Sequence, residues 1–299
     1  MNKTVAVVVT YNRKVLLEEC INALLKQTTP LDIIVVDNFS TDGTEEVVKK
    51  YLSGNVKYFN TGANLGGAGG FNFGMKKACE GNYEYCWIMD DDTIPNPDAL
   101  EVLVAKANEI NNEFSFLSSL ALWTDGSLCN MNVQKVSSKT VQNYKALDHN
   151  IMQIDYASFV SCFINMKYVY EIGFPITDFF IYGDDMEYTM RLSQKAPGYL
   201  VPHSTVVHKM GSNVGINVID IEKERLDRYF YNFRNLCYIY KKYDQKEYRM
   251  HKLKAKYLIM KALFKSKNAK FKRAKVIRKG MKAGKKFNPE IEFPEKKEN

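Results

Sequence analysis

The sequence predicts an α/β fold with a mostly parallel central sheet and a basic helical extension towards the C-terminus. Three observations carry this prediction. Apolar β-branched runs alternate with helical patterns over the first hundred residues, polar and acidic side chains follow those runs, and positive charge is concentrated late in the chain. At 299 residues, 45% of them hydrophobic, the chain is long enough to bury a large core.

The first hundred residues contain four predicted strands separated by predicted helices. Continuous apolar runs are typical of strands that are buried on both faces, and the segments between them have helical spacing. Such alternation predicts parallel pairing, with ligands bound at the carboxyl ends of the strands. The predicted strands are Thr4–Thr10, Asp32–Asp37, Val56–Asn60 and Tyr85–Met89, and the predicted helices are Val15–Gln27, one that begins near Asp42, and Phe71–Cys79.

The second half of the chain has a weaker pattern. Residues 122–156 are polar, and their pattern supports no prediction. Beyond them we expect a strand over Ala157–Ile164, a helix over Asp184–Gln194 and an aromatic helical segment within Ile221–Tyr243. The expected division is a main domain over 1–220, an aromatic helical segment over 221–248 and a basic tail over 249–299.

The net charge of +8 conceals an asymmetry. Arg249–Lys286 contains sixteen Lys or Arg and no Asp or Glu, so the rest of the chain has 26 basic against 34 acidic residues. A basic segment of this kind favours polyanions, either anionic lipid or nucleic acid. No run reaches the roughly 18–20 apolar residues of a membrane span, and Thr4–Thr10 is too short for a signal peptide. The six cysteines form no CxxC pair, so reduced thiols and a cytoplasmic location are expected.

Three adjacent carboxylates, Asp90, Asp91 and Asp92, follow the fourth predicted strand. They repel one another unless a cation neutralises them, and hard oxygen ligands suit Mg²⁺ or Mn²⁺. On an extended segment Asp90 and Asp92 would point the same way, with Asp91 opposed. A solvated turn that caps the following helix explains the triplet as well, so the triplet alone leaves both interpretations open.

A glycine-rich segment, Gly62–Gly70, precedes the third predicted helix. Glycines let a backbone approach a ligand closely, and a helix N-terminus attracts anions. The segment does not follow the first strand, as a dinucleotide-binding loop would, and it lacks the GK[ST] ending of a Walker A loop. By itself it is a weak indication of a phosphate site.

Together these motifs resemble the family 2 glycosyltransferases of GT-A fold, and within them the bacterial galactofuranosyltransferases. The resemblance runs from Val5 to about Tyr243, in the order of the family's motifs. The matching segments are VVVTYNR at Val7–Arg13, VVDNFSTDGT at Val35–Thr44, NLGGAGGFNFG at Asn64–Gly74, WIMDDDT at Trp87–Thr93, FIYGDDMEYTMRL at Phe180–Leu192 and VVHKMG at Val206–Gly211. The resemblance implies the GT-A fold, with residues 1–220 as the catalytic domain.

The resemblance also implies a donor site and a metal site. It places Asp90, Asp92 and His208 around Mn²⁺ or Mg²⁺, although a lone histidine at position 208 would otherwise be taken for a packed side chain, and His203 is the weaker candidate. Residues of the family's nucleotide, ribose and diphosphate contacts are matched by Thr10, Tyr11, Arg13, Asp37, Asn38, Asn64, Gly66, Gly67 and Asp91.

Asp185 matches the catalytic base of inverting members. A carboxylate there would take the proton of an acceptor hydroxyl as it attacks the anomeric carbon, while the metal stabilises the departing diphosphate. Asp184 and Glu187 would support it or contact the acceptor, although acids in the first turn of a helix are also favoured by its dipole. Phe230–Asn235 loosely resembles a YYxxRN-like element of relatives with lipid-linked acceptors; an aromatic helix packed on the domain explains it equally well.

The resemblance therefore implies an inverting, metal-dependent transfer of a hexose, with UDP-galactofuranose as the expected donor and a lipid-linked glycan as the acceptor. A dTDP-rhamnose-dependent rhamnosyltransferase is the near alternative. A nucleic-acid-binding protein with an inert sugar-nucleotide domain is remote, since it leaves Asp90, Asp92, Asp185 and His208 without roles, and a nucleotidyltransferase leaves Asp185 and His208 unexplained. We expect no nucleic-acid partner, and a peripheral location on an anionic inner membrane surface of a bacterium, where the basic tail would be an interfacial segment.

Overall fold

The computed structural model describes residues 3–215 and 218–295. The chain divides into two compact units. Unit 1 comprises Met1–Thr177, Asp185–Asn213 and Ile291–Asn299, and unit 2 comprises Asp178–Asp184 and Val214–Glu290.

Unit 1 contains a mixed β-sheet. Its strands are β1 Thr4–Thr10, β2 Asp32–Asp37, β3 Val56–Asn60, β4 Tyr85–Asp90, β5 Thr93–Pro95, β6 Phe116–Leu122, β7 Lys135–Val136, β8 Met152–Tyr156, β9 Cys162–Asn165 and β10 Gly198–His208. They are ordered β3-β2-β1-β4-β9-β6-β10-β8-β7, and β5 also pairs with β10. The first four strands are parallel, as predicted, but β9 inserts antiparallel between β4 and β6. Beyond it β6 and β10 are again parallel, while β5, β7 and β8 pair antiparallel, so the sheet is mixed.

Helices cover both faces of this sheet. They are α1 Lys14–Leu25, α2 Thr44–Lys49, α3 Gly66–Cys79, α4 Ala99–Glu109, α5 Met166–Ile172 and α6 Asp184–Ser193. Alternate residues of β1 enter different layers: Ala6 and Val8 pack in one buried cluster, and Val5, Val7 and Val9 pack in the other. A strand with two buried faces requires the continuous apolar run found in the sequence.

The glycine-rich segment is helical from Gly66 onwards, whereas the sequence predicts a loop as far as Gly70. The reason is packing against β1. A Cβ added to Gly70 would lie 2.5 Å from Val9 Cγ1, and one added to Gly74 would lie 2.3 Å from Val7 Cγ1. These two glycines therefore let α3 approach the sheet closely.

The predicted strand over Ala157–Ile164 was wrong for its first half. Residues 157–161 connect β8 to β9, and only the end of the predicted segment is a strand. The run looked continuous because residues 157, 159 and 160 are buried although they lie outside a strand. Burial and strand pairing cannot be separated in a short apolar run.

Unit 2 is mainly helical. It contains a 3₁₀ turn at Lys223–Arg228 followed by α7 Tyr229–Tyr243, α8 Gln245–Lys265 and α9 Lys270–Lys286. Its core combines residues of all three helices with Val218, Ile219 and Ile221. A Cβ at Gly284 would lie 2.5 Å from the carbonyl oxygen of Arg234, so α9 crosses α7 at close range. The basic segment is thus built into a folded helical unit.

The segment after α9 returns to unit 1. The backbone N–H of Phe174 donates to the carbonyl oxygen of Glu292 at 2.8 Å, and the Glu292 carboxylate forms an ion pair with Lys76. Gly173 has a φ of +80°, and a Cβ added to it would lie 2.4 Å from the carbonyl oxygen of Glu292. Unit 2 is therefore inserted between two parts of unit 1 along the chain.

Within residues 3–215 and 218–295, no helix combines the length and the apolar character that a membrane span needs.

Candidate active site

The carboxyl ends of three neighbouring parallel strands carry polar side chains. Thr10 is paired in register with Asp37, and Val9 with Asp90. Parallel strands bring their carboxyl ends to one edge of the sheet, so these side chains share that edge. This is the edge at which the sequence predicted ligand binding.

Strand pairing brings Asp92 and His208 together across 116 residues of sequence. The short strand β5 begins at Thr93 and runs antiparallel to the end of β10, with Thr93 opposite His208. The backbone N–H of Lys209 then donates to the carbonyl oxygen of Asp92 at 2.8 Å. As a result, His208 Nε2 lies 3.0 Å from Asp92 Oδ1.

Arg13 bridges Asp91 and Asp92. Its Nη1 atom lies 2.6 Å from Asp92 Oδ2 and 3.3 Å from Asp91 Oδ1, while Thr10 Oγ1 donates to Asp91 Oδ2 at 2.7 Å. Asp91 and Asp92 are 3% and 5% exposed. The alternation expected of an extended segment was wrong here, because residues 91 and 92 form a turn and both face the same guanidinium.

The electrostatics separate the two buried carboxylates. Burial raises the pKa of Asp91 to about 6, although Arg13 and Thr10 act in the opposite direction. Burial also acts to raise the pKa of Asp92, but the hydrogen bond and charge of His208, together with Arg13, lower it below its ordinary value. Asp92 is therefore the stronger permanent anion of the pair.

His208 is held by a second layer of polar contacts that the sequence analysis missed. Its Nδ1 lies 2.8 Å from the amide oxygen of Asn132, which can only accept, so Nδ1 carries the proton. The Asn132 amide group donates in turn to Ser158 Oγ at 2.8 Å, and Cys129 Sγ donates to Asn132 Oδ1 at 3.0 Å. Asn132 lies in the polar stretch 122–156, where no pattern in the sequence could have singled it out.

The residues present fit a divalent cation in part. Two neighbouring ligands of an octahedral ion with bonds of about 2.1 Å lie roughly 3.0 Å apart, which is the separation of Asp92 Oδ1 and His208 Nε2. A histidine whose other nitrogen is held by an amide oxygen is typical of metal ligands. In the part of the chain that the structure describes, no three His, Cys, Asp or Glu side chains are grouped as a complete shell. The predicted third ligand, Asp90, is the last residue of β4, two positions before Asp92.

Asp37 and Asn38 lie buried at the end of β2. Asp37 accepts hydrogen bonds from the Ser40 N–H at 2.8 Å and from the Tyr58 hydroxyl at 2.7 Å, so both of its oxygens already have partners in the protein. The Asn38 amide group donates to the Gly66 carbonyl oxygen at 3.0 Å. Its own oxygen has no partner within the described residues, and an orphaned buried acceptor is suited to a ligand hydroxyl or N–H.

The remaining predicted donor contacts lie at the start of α3 and on the loop after β1. Asn64 Oδ1 accepts from the Gly66 N–H at 2.9 Å, which forms the turn that leads into the helix. Gly66 has a φ of +71°, a conformation that favours glycine, and Gly67 is in the first helical turn. The Tyr11 side chain is 42% exposed, so its ring is accessible to a ligand.

Asp185 lies in the first turn of α6. Its carboxylate accepts the Met186 N–H at 2.7 Å, and its charge acts on the buried Cys162 thiol. Burial raises the pKa of Asp185 to about 6. A carboxylate with such a pKa is ionised at neutral pH but is more basic than an ordinary aspartate, which suits a general base.

The neighbouring acids differ from Asp185 in their surroundings. Glu187 is 1% exposed and is held by Arg191, whose Nε and Nη2 lie 3.1 and 2.9 Å from its two oxygens. Arg191 also donates to the Phe174 carbonyl oxygen at 3.0 Å. The geometry of Glu187 is that of a structural ion pair, while Asp184 is a buried first residue of α6.

Arg234 and Asn235 hold the loop that precedes α6. Asn235 is fully buried and its amide group donates to the carbonyl oxygens of Phe179, Ile181 and Tyr182 at 3.0, 3.1 and 2.7 Å. Arg234 donates to the carbonyl oxygen of Asp178. Two non-glycine residues of this loop, Phe180 and Tyr182, have φ values of +61° and +68°, and such backbone persists only where its surroundings hold it.

A separate cavity of about 830 Å³ lies within unit 2 and contains none of the predicted site residues. Its lining is cationic and aromatic. The lining residues are Asp227, Arg228, Phe230, Tyr231, Phe271, Lys272, Lys275, Val276 and Lys279.

Comparison with known proteins gives a family match over the first half of the chain. The model of the family "Glycosyl transferase family 2" matches residues 5–152. Among curated proteins, an abequosyltransferase of Salmonella typhimurium is 35% identical over 100 residues, which are 31% of this chain and 29% of that protein. The "GalNAc(5)-diNAcBac-PP-undecaprenol beta-1,3-glucosyltransferase" of Campylobacter jejuni is 37% identical over 113 residues, 36% of each.

The galactofuranosyltransferase GlfT1 of Mycolicibacterium smegmatis is 38% identical over 91 residues, 30% of each protein. These alignments therefore span about a third of the length of the relatives that they match. The three relatives are named for different sugars, so the similarity does not distinguish between donors.

Two solved structures share the fold over nearly the whole chain. TarS of S. aureus superposes with a TM-score of 0.56 at 16% identity, over 94% of this chain and 43% of TarS. GalNAc-T7 with UDP, GalNAc and Mn²⁺ superposes with a TM-score of 0.60 at 14% identity, over 93% of this chain and 55% of that one. The predicted GT-A fold, with helices towards its C-terminus, is confirmed.

Proposed function

Because this chain carries a glycosyl transferase family 2 domain, we propose that it transfers a hexose from a nucleoside-diphosphate donor to a glycan acceptor with inversion at the anomeric carbon. One observation carries most of the proposal. Asp92 and His208, distant in sequence, meet at 3.0 Å on the ligand-binding edge of the sheet, where Arg13 also lies. A nucleotide-sugar diphosphate needs positive charge and a cation at that edge.

Asp92 and His208 would hold a Mn²⁺ or Mg²⁺ ion. When bound, the ion supplies positive charge next to the diphosphate that leaves. Asp90, at the end of β4, is proposed as a further residue that would hold this ion, since carboxylates are preferred ligands of Mg²⁺ and Mn²⁺. Asn132 fixes the His208 ring so that Nε2 points towards Asp92.

The donor nucleotide is proposed to lie along the carboxyl ends of β1 and β2. The buried Asn38 oxygen has no partner among the residues that the structure describes, and the accessible Tyr11 ring follows Thr10, whose carbonyl oxygen accepts the Asn38 N–H. Because Asp37 already bonds Ser40 and Tyr58, its contribution would be one further lone pair towards the base or the ribose. Arg13, which bonds Asp91 and Asp92, would also bind a donor phosphate.

Asp185 is proposed as the base that removes the proton from the acceptor hydroxyl. Its raised pKa, about 6, leaves it ionised at neutral pH and gives it more basicity than an ordinary carboxylate. Glu187 and Asp184 would act as supporting residues, Glu187 by tying α6 to Arg191. Arg234 and Asn235 hold the loop 178–182 that leads into this helix.

For the donor sugar we propose galactofuranose from UDP-galactofuranose. The motifs that resemble galactofuranosyltransferases and the 38% identity to GlfT1 support it. For the acceptor we propose a lipid-linked bacterial surface glycan, supported by the likeness to an enzyme named for an undecaprenol-linked substrate. The enzyme would then work at an anionic membrane surface, where its basic helices would be attracted.

Release of UDP tests the proposal directly. Purified full-length protein is incubated with Mn²⁺ and each of a panel of sugars activated by UDP, dTDP and CDP, and nucleotide release is measured with and without a chelator. We expect release from UDP-galactofuranose that the chelator abolishes. Release from a dTDP- or CDP-sugar alone would reject the donor, full release in the chelator would reject the metal, and no release from any donor would reject the transferase activity.

A further inference from the structure

Helix α8 has two apolar faces, and only one of them is used inside the protein. The inner face carries His251, Ala255 and Ala262, which are buried. Leu258 and Ile259 pack against the same unit 2 core. An ordinary amphipathic helix on a folded domain would show only polar side chains on the opposite side.

The outer face of α8 is an exposed apolar stripe. Its residues follow one another at intervals of three, four, three and four, so they share one side of the helix. Each of the five is more than half exposed. They are Met250 at 54%, Leu253 at 58%, Tyr257 at 60%, Met260 at 60% and Phe264 at 76%. We call this set the α8 stripe.

Basic side chains border the α8 stripe on both sides. At about 100° per residue, three cations lie on each flank of the α8 stripe. These are Arg249, Lys252 and Lys256 on one side and Lys254, Lys261 and Lys265 on the other. Acidic residues are absent from Arg249 to Lys286, so nothing in this segment opposes their charge.

We infer that the α8 stripe is the face by which this protein lies on an anionic bilayer, with its five apolar side chains in the boundary between headgroups and acyl chains. An apolar stripe rimmed by lysines and arginines is the layout of an interfacial helix. The lysine stems can bury along apolar surface while their ammonium groups reach the lipid phosphates. The inference deepens the proposed location at an anionic membrane surface, on which it rests, by naming the face.

A second copy of the chain fits the α8 stripe less well. Its 3-4 spacing also suits a coiled coil, but Met250–Phe264 spans only about two heptads, fewer than the three or four that such a coil needs. Both flanks are basic, so two copies would oppose like charges in either orientation. A nucleic acid would satisfy the cations but would leave Leu253, Met260 and Phe264 in water.

Phe271 extends the apolar surface beyond α8. It lies in the first turn of α9 and is 83% exposed, the highest exposure of a large apolar side chain in the described residues. By contrast, Val276 and Ile277 on α9 are buried in the unit 2 core. The structure thereby separates the lipid-facing candidates from the core residues.

The test uses point variants of the full chain, because α8 and α9 form the core of unit 2 and cannot be removed without exposing it. The stripe variant combines Leu253→Gln, Tyr257→Gln and Phe264→Gln, which keeps every charge and a good helix propensity. The matched control combines Leu52→Gln, Val141→Gln and Leu147→Gln, three exposed apolar residues of unit 1. Flotation is measured with phosphatidylglycerol–phosphatidylcholine vesicles and with phosphatidylcholine vesicles.

We expect the wild type and the control to bind anionic vesicles and the stripe variant to bind at least tenfold more weakly. Equal binding of all three would overturn the inference, because charge alone would then suffice. A dimeric wild type with a monomeric stripe variant, measured by light scattering without lipid, would also overturn it in favour of a second copy. Capture of a single-stranded oligonucleotide in place of vesicles would overturn it as well.

A single substitution covers the case in which the stripe variant fails to fold. In Leu253→Trp, tryptophan emission should shift to shorter wavelength on addition of anionic vesicles, while the emission of Val141→Trp should not change. No shift in Leu253→Trp overturns the inference.

UDP release separates this inference from the proposed function. Stripe-dependent vesicle binding without UDP release from any donor would reject the function and leave the inference standing.

Discussion

The carboxylate cluster of unit 1 and helix α8 of unit 2 differ in where their charges lie and in whether those charges are paired. Asp91 and Asp92 are almost fully buried, and each charge has a partner within hydrogen-bond distance in Arg13, Thr10 or His208. The cations of α8 lie at the surface beside exposed apolar side chains. Buried charge is expensive unless it is paired, so it persists where a defined geometry is needed. Surface charge of one sign serves a partner outside the chain.

The largest effect is expected from the unit 1 cluster. Asp92→Asn keeps the size of the side chain but removes the charge that would bind the cation, so UDP release should fall by about a thousandfold or more. The measurement is Mn²⁺-dependent UDP release at saturating donor. Asp98→Asn, an exposed acid at the start of α4, is the control and should behave as the wild type. A loss of less than tenfold in Asp92→Asn would remove the residue from the metal site.

Asp185→Asn should lower turnover by roughly 10²–10³-fold, because an amide cannot accept the acceptor proton. Mn²⁺ affinity, measured by isothermal titration, should be unchanged. In the wild type the carboxylate must be ionised to act, so activity should be present above pH 6 and fall about tenfold per pH unit below it, where the group whose pKa is about 6 becomes protonated.

The control for this assignment is its neighbour. Asp184→Asn should cost less turnover than Asp185→Asn, and the residual activity of Asp185→Asn should fall less steeply below pH 6 than that of the wild type, because only Asp91, whose pKa is also about 6, still titrates there. If Asp184→Asn were the more damaging change, the base would be the other acid of the pair.

A smaller effect is expected one layer away from the cluster. Asn132→Leu removes the acceptor of the His208 Nδ1 proton and should weaken Mn²⁺ binding by about 10–100-fold. Asn132→Asp keeps an acceptor oxygen at the same place and should restore most of the affinity. Mn²⁺ affinity is read from the electron paramagnetic resonance signal of the free ion. If both variants bound Mn²⁺ as the wild type does, Asn132 would have no role in orienting the histidine.

The smallest effect concerns the pH dependence of folding stability, which tests whether the buried His251 side chain of unit 2 stays unprotonated in the folded protein. Burial lowers the pKa of His251 to about 4, and its Nε2 has no partner in the described residues. The unfolded chain takes up a proton below about pH 6.5 while the folded chain does not, so stability should fall as the pH drops from 6.5 towards 4, by at most about 3 kcal/mol. His251→Phe should abolish this slope, measured by chemical denaturation.

His203→Gln, at an exposed histidine of β10, is the matched control and should keep the slope. If the pH dependence of stability were unchanged in His251→Phe, other titratable groups would cause the loss of stability in acid.

The features that the sequence predicted depend on residues close together in the chain, and those that it did not predict depend on residues far apart. Three of the four parallel strands, β1, β2 and β4, were predicted because a strand buried on both faces has a continuous apolar run. The polar ends of those strands followed from the same reasoning. The meeting of Asp92 with His208 did not, since it depends on the pairing of β5 with β10 and was expected only through the family resemblance.

Other features had no local signal. Asn132 lies in a stretch without periodicity, and its role depends on a hydrogen bond to a residue 76 positions away. Gly70 was assigned to a ligand loop, because composition cannot distinguish close approach of a glycine to a ligand from close approach to β1. The basic segment was predicted to be a tail because its local sequence does not show what it packs against. Val276 and Ile277 of α9 are buried in a core that they share with α7 and α8.

The return of the chain to unit 1 after α9 has a consequence for biosynthesis. On a ribosome, residues are released from the N-terminus onwards, and domains usually fold as they emerge. Glu292, which accepts the Phe174 N–H, emerges only after all of unit 2 has been made. Until then the backbone at Gly173 and Phe174 lacks this contact, so the helical unit must be synthesised, and its two connections brought together, before the sheet domain can complete its last hydrogen bonds. A nascent chain stalled before residue 291 should therefore show a sheet domain that is more sensitive to protease than the released protein.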